Sequence, residues 1–262
     1  MNNTLLKGLS VLELLSRSDR PLNLTQIGKE LGMVKSNVHR LMQALVETRF
    51  VLRDEESGTY AASIKLWELG SAVLAKLDLR RHAERQMEAL MNLTGESVHL
   101  SVLDGVEVVY VHKVDSPNPV RAYTQIGGRA PAYCVATGKA QLAFGGPAHL
   151  AGVAARLQPH TERTITDPDV FLREMKRVRE QGFATNKAEW RDGVWGIASP
   201  VLDARGSVIA AVGISGPAAR FRKSGSGPWT EAVVAAANDI SQALGGHQPM
   251  STALARVRFG PS

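Results

Sequence analysis

In the first sixty positions apolar residues recur every three or four places, and the pattern then changes to alternation. Leu5, Leu9, Leu12 and Leu15 predict a first helix with a buried apolar stripe. Pro21 interrupts the chain. Leu24, Ile27 and Leu31 predict a short second helix stopped by Gly32. After Met33 and Val34 a third helix is expected from about Lys35 to Thr48. On its wheel Val38, Leu41, Met42 and Leu45 gather on one side, with Ser36, His39, Arg40, Gln43 and Glu47 opposite. Residues 50–53 and 59–62 then flank a loop at 54–58, which predicts a hairpin.

Residues 63–82 read as a helical connector carrying Lys76, Arg80 and Arg81, and from 83 to 246 helical patterns alternate with strand pairs. Residues 97–103 and 106–112 flank Asp104-Gly105, a type I′ hairpin signal with Leu103 opposite Val106. That register places Val98, Leu100, Val102, Val109 and Val111 on a core face. Ser97, His99, Ser101, Tyr110 and His112 share the other face, with His99 and His112 as diagonal neighbours. A helix is expected from Ala136 to Phe144. Another opens at Thr166 or Asp167 with Pro168, buries Phe171, Leu172, Met175 and Val178, and ends at Gly182. Strands at 194–201 and 208–215 flank a turn at 203–206. The tail, 247–262, is expected to order poorly.

At 262 residues, 44% hydrophobic and 21% charged, the composition is that of a soluble globular protein of one large or two ordinary domains. No apolar run is long enough for a membrane span and no signal peptide pattern opens the chain, so a cytoplasmic location is expected. The single cysteine, Cys134, excludes an intramolecular disulfide.

Net charge is +6, which suits a polyanion. Its placement says more than its sum. Between positions 25 and 53, Lys29, Lys35, Arg40, Arg49 and Arg53 face only Glu30 and Glu47, whereas residues 1–75 are nearly neutral overall. Helix, tight glycine turn, helix and hairpin together form the layout of a winged helix-turn-helix. The exposed side of the third helix offers hydrogen-bond donors and positive charge to phosphates and base edges. Thr25, Lys35, Ser36, Asn37, His39, Arg40, Gln43 and Arg53 are the candidate contacts to double-stranded, pseudo-palindromic DNA.

Several motifs in order resemble the IclR family of bacterial transcription regulators. They are Leu5-Leu6-Lys7-Gly8-Leu9, Val34-Lys35-Ser36-Asn37-Val38-His39-Arg40-Leu41, Gly58-Thr59-Tyr60 and Leu66-Trp67-Glu68-Leu69-Gly70. They continue with Gly127-Gly128-Arg129-Ala130-Pro131, Ala136-Thr137-Gly138-Lys139-Ala140 and Thr164-Ile165-Thr166-Asp167-Pro168. Gly193-Val194-Trp195-Gly196-Ile197-Ala198-Ser199-Pro200-Val201 and Ile214-Ser215-Gly216-Pro217 close the series. The resemblance implies an α+β chain: a winged helix-turn-helix at 1–62, a helical linker at 63–82 and a GAF-like α/β effector-binding domain at 83–246. It also implies a homodimer or homotetramer that represses or activates genes, with repression the expectation here, controlled by a small organic acid or aromatic effector.

Matched position by position, the resemblance places the effector against Ala136, Thr137, Asn186, Gly196, Gly213 and Ser215. Acid-binding members carry Cys at the Gly196 position and Ser at the Gly213 position, so the two glycines here imply a larger cavity and a bulkier carboxylate. Arg129, Tyr133, Trp190 and Trp195 are candidate walls or charge partners, although Trp195 is expected to point away because strands alternate.

The rival class is an enzyme, for instance one using Cys134 as a nucleophile. Gly213-Ile214-Ser215-Gly216 falls short of G-x-S-x-G, and Tyr133 stands where a P-loop needs glycine. His99 and His112 have no acidic or cysteine partner nearby in sequence, which favours hydrogen-bonded or pocket histidines over metal ligands. No cofactor, metal or catalytic residue is expected.

Overall fold

The computed structural model describes residues 3–75, 79–224 and 226–246. The chain divides into two units, residues 1–77 and 78–262. Lys76 and the tail 247–262 lie outside the described residues, so the expectations placed on them are not addressed.

The first unit contains α1 (Asn3–Arg17), α2 (Leu24–Leu31), α3 (Lys35–Glu47), β1 (Val51–Arg53), β2 (Tyr60–Ala62) and α4 (Lys65–Ala75). Val11, Leu15, Leu22, Ile27, Val38, Leu41, Met42, Val51 and Tyr60 form its core. The stripe expected on α1 needs correction. Val11 and Leu15 are buried, but Leu5 and Leu9 are 61% and 49% exposed. The seam facing α2, α3 and β2 is Gly8–Val11–Leu15, with Leu12 of the expected row packed against it, so the row holds in the second half of the helix and fails in the first.

Helix α2 begins at Asn23, whose side chain accepts from the Thr25 and Gln26 N–H groups, while the Gln26 side chain accepts from the Asn23 N–H at 2.9 Å. It ends at Gly32, in the left-handed region at φ 62°. The turn into α3 crosses close over Gly28: a Cβ there would lie 2.7 Å from the Met33 carbonyl oxygen, which explains the glycine inside a helix. Strands β1 and β2 pair antiparallel, with Val51 opposite Ala62 and Arg53 opposite Tyr60.

The second unit is a six-stranded antiparallel sheet in the order β5-β4-β3-β8-β7-β6. Its strands are β3 (Ser97–Asp104), β4 (Glu107–Val114), β5 (Arg129–Pro131), β6 (Ala184–Lys187), β7 (Val194–Leu202) and β8 (Val208–Pro217). Helices α5 (Leu79–Thr94) and α10 (Ser226–Ala243) pack on the sheet. So does α6 (Ala136–Leu142), which is backed by α8 (Pro168–Gln181). Short helices α7 (Pro147–Ala154) and α9 (Ala218–Ser224) complete the fold.

The β3–β4 hairpin departs from the expected register. Asp104 pairs with Glu107, so the two loop residues are Gly105 and Val106. Only Gly105 has positive φ (62°), the II′ pattern rather than I′. A bulge between Leu100 and Ser101 then shifts the pairing again, so Leu100 opposes His112 and His99 opposes Lys113. His112 consequently feels Arg80, Glu84 and Glu88 on α5. Val108 and Tyr110 belong to the core cluster that includes α6 residues. His99 and His112 are not the facial neighbours that uniform alternation implies.

Helix α8 starts at Asp167, whose carboxylate accepts from the Val170 N–H at 2.9 Å, and stops at Gly182 with φ 79°. Phe171, Met175 and Val178 are buried, whereas Leu172 is 41% exposed and leaves the expected stripe.

Candidate nucleic-acid interface and ligand cavity

In the first unit, Lys35, Ser36, His39, Arg40 and Gln43 are exposed on α3, and Asn37 is half-buried. Among the described residues none of those five exposed side chains has a hydrogen-bond or ion-pair partner. No side chain caps the α3 N-terminus at Val34, so the first N–H groups there remain available to a phosphate. Thr25 is exposed in the first turn of α2. Arg53, on the hairpin, reaches Glu55 at 3.3 Å and lies 6.0 Å from the Tyr60 ring centre. Val34, 64% exposed at the start of α3, is an apolar group on this surface that polarity-based reading passed over.

The second unit holds a cavity of about 340 Å³. Arg129, Ala136, Thr137 and Asn186 line it together with Trp190, Gly196, Gly213 and Ser215, so residues far apart in sequence converge. Tyr133 does not join them. Its hydroxyl accepts from the Gln158 N–H at 3.0 Å and lies 3.0 Å from His160 Nε2, which turns it toward the 155–164 loop. Trp195 also points elsewhere, between Lys187 and Arg222 at 5.6 and 5.4 Å from its ring centre.

Arg129 reaches the cavity edge, but its guanidinium is held by Asp104 at 2.5 Å and Glu107 at 2.8 Å, which removes it as a free charge partner. Arg191 also lines the cavity and acts electrostatically on Tyr110. No loop residue at 121–125 figured among the expected contacts, yet Arg121, Tyr123, Thr124 and Gln125 all contribute to the lining. They come from a connection without regular structure between β4 and β5, where hydrophobic periodicity carries no signal.

The two glycines differ. A Cβ at Gly213 would sit 2.4 Å from the Ile197 carbonyl oxygen and 2.5 Å from Ala198 Cβ, so glycine is required by strand packing and adds no ligand space. At Gly196 the nearest side-chain atoms, Ser215 Cβ and Ala136 Cβ, would be 3.5 and 3.6 Å away, although the Ile214 carbonyl oxygen would be at 3.0 Å. The expected enlargement therefore falls to Gly196 alone.

The polar floor is preorganised. Thr124 Oγ1 lies 2.9 Å from His99 Nδ1, and His99 Nε2 lies 2.6 Å from Ser215 Oγ. Burial pushes the His99 pKa down to about 4, so the ring is neutral at physiological pH. Burial also pushes the Tyr110 phenol up to about 12. Thr137 Oγ1 is buried and has no partner among the described residues.

Asn186 Oδ1 accepts from the Glu189 N–H at 2.8 Å. Glu189 in turn grips Lys139 Nζ with both carboxylate oxygens at 2.8 Å, and Lys139 is only 1% exposed. The Gly-Lys pair is thus structural: its ammonium is spent on Glu189 and, at 3.4 Å, on Glu174 of α8, away from the cavity lining. Thr161 and Thr164 hydroxyls donate to the Ala188 and Glu189 carbonyls, both at 2.7 Å, and His160 meets Trp190 edge-on at 4.5 Å. These contacts fix the segment carrying Asn186, Trp190 and Arg191. Cys134 is buried and its thiol is pushed up to about 12 by burial, which is unsuited to nucleophilic work.

A winged helix-turn-helix with a polar α3 face, in one chain with a ligand-sized cavity, defines the class of ligand-responsive transcription regulators. Comparison with known proteins narrows the class. The model of the bacterial transcriptional regulator IclR C-terminal domain matches residues 71–242, and the IclR helix-turn-helix domain matches 4–55. The chain is 36% identical over 247 residues to the HTH-type transcriptional regulator KdgR of Escherichia coli, covering 94% of each protein. It is 32% identical to the HTH-type transcriptional repressor AllR of Salmonella typhi, covering 94% of this chain and 91% of that one. Among solved structures, Thermotoga maritima IclR superposes with a TM-score of 0.77 at 32% identity, covering 94% and 100%. An IclR homologue from Microbacterium hydrocarbonoxydans complexed with 4-hydroxybenzoate gives 0.82 at 25% identity, covering 92% and 99%. The chain belongs to the IclR family of bacterial transcription regulators. It is a DNA-binding regulator and not an enzyme.

Proposed function

We propose that this regulator is a cytoplasmic homodimeric repressor that releases or retains its operator according to a carboxylate bound in the second unit's cavity. Lys35, Ser36, His39, Arg40 and Gln43 would enter the major groove, with Asn37, Thr25 and Arg53 beside them. Paired half-sites would lie about one helical turn apart. Relatives named as repressors support the repressing role. Leu6 and Leu9 on α1, with Trp67 and Leu69 on α4, are 47% to 68% exposed and supply apolar surface for a second copy.

The observation that carries the ligand reading is the cavity itself. At about 340 Å³ it lies near the lower end of small-molecule sites, about 300–1,000 Å³, and exceeds what a two- or three-carbon acid fills. The solved relative holding 4-hydroxybenzoate supports an acid of that size. Arg191 and Arg121, rather than Arg129, are the lining cations without a carboxylate partner among the described residues, and so the ones left to meet a ligand's carboxylate. A thermal-shift screen of carboxylic acids tests this. Stabilisation by acids of six or more carbons is expected, and stabilisation by glyoxylate or pyruvate alone would sink the reading.

A further inference from the structure

We propose that the hydrogen-bonded chain Thr124–His99–Ser215 reads a hydroxyl group on the effector, making the effector a hydroxy acid rather than a simple carboxylate. The inference rests on the cavity being the effector site and adds the chemistry it selects. Each member of the chain can both donate and accept. His99, only 3% exposed, spends both ring nitrogens within the chain, on Thr124 and on Ser215. If its proton sits on Nδ1, it donates to Thr124 and accepts from Ser215, whose oxygen is left to accept from a ligand. If the proton sits on Nε2, it donates to Ser215, whose O–H is left to donate.

A neutral imidazole passes between these two states without gaining charge, so Ser215 can present either polarity. A carboxylate only accepts, and a site made for it alone needs donors and nothing else. An alcohol both donates and accepts, which is what a reversible chain matches. Thr137 Oγ1, buried and without a partner among the described residues, adds a second amphoteric group on the same cavity wall. Groups of this kind make a site reject the analogue that lacks the hydroxyl, because buried hydrogen-bonding capacity is then stranded.

The test is calorimetric titration of the full chain with two matched pairs, gluconate against hexanoate and 4-hydroxybenzoate against benzoate. At least one hydroxylated acid should bind at least about tenfold more tightly than its deoxygenated partner. In Ser215→Ala and Thr124→Val that ratio should fall to within about threefold. A merely structural role would weaken both members of a pair equally and leave the ratio unchanged. Equal affinity within both pairs in the unaltered protein overturns the hydroxyl reading while leaving the acid-effector reading intact. A preference that survives both substitutions overturns the assignment to this chain. Failure of all four acids to bind overturns both readings.

Discussion

The two units solve recognition in opposite ways. On α3 the exposed polar side chains Lys35, Ser36, His39, Arg40 and Gln43 have no partner among the described residues, whereas at the cavity Thr124, His99, Ser215 and Asn186 are already tied to neighbouring groups. DNA is a large partner that supplies the hydrogen-bonding groups α3 lacks. A small ligand cannot order its own site, so Asn186, Ser215 and Trp190 are positioned beforehand by Glu189, His99 and His160. Substitutions on α3 should therefore alter binding without touching stability, and substitutions behind the cavity should alter both.

Lys139→Met is the most severe way to break that contrast. It leaves Glu189 buried without its cation, and the second unit should lose about 3–5 kcal/mol in denaturant unfolding followed by Trp190, Trp195 and Trp229 fluorescence. A loss under about 1 kcal/mol would mean the pocket wall does not depend on the pair. Gly213→Ser should cost about 1–3 kcal/mol because its Cβ meets Ile197 and Ala198 on β7. If stability is instead unchanged and small acids gain affinity, glycine there serves the ligand and not the sheet.

On the other side of the comparison, Arg40→Ala should weaken operator binding by about 1–3 kcal/mol if the guanidinium reads a base. Its unfolding midpoint should stay put, as expected for an exposed side chain. Unchanged affinity and salt dependence would remove Arg40 from the interface. The smallest effect is expected from Asn23→Ala, about 1 kcal/mol of stability from loss of the capping box, with operator affinity following only as far as α2 frays. Circular dichroism melts measure it.

The first unit was largely legible in the sequence because its signals are local. Gly32 stops α2, the apolar side of α3 follows one period, and residues 54–58 turn the hairpin. What escaped there was the face of α1, because Leu5 and Leu9 match helical spacing as well as Val11 does and only packing selects between them. The second unit was legible as strands and helices but not as a register. A one-residue bulge beside Leu100 leaves no mark in composition, yet it moves His112 off the face that carries His99. Strands β5 and β6, three and four residues long, are too short for alternation to register. The cavity residues implied by the resemblance converge, while Tyr133 and Arg129, whose chemistry suits a carboxylate, are claimed by tertiary partners at His160, Asp104 and Glu107.

In the proposed regulator, an acid bound in the second unit's cavity changes the hold of α3 on DNA. Fluorescence anisotropy with labelled DNA from the regions flanking its gene tests this most directly, titrated with and without a saturating acid chosen by thermal shift. A change in operator Kd of at least about fivefold is expected. An unchanged Kd with the acid demonstrably bound would contradict it.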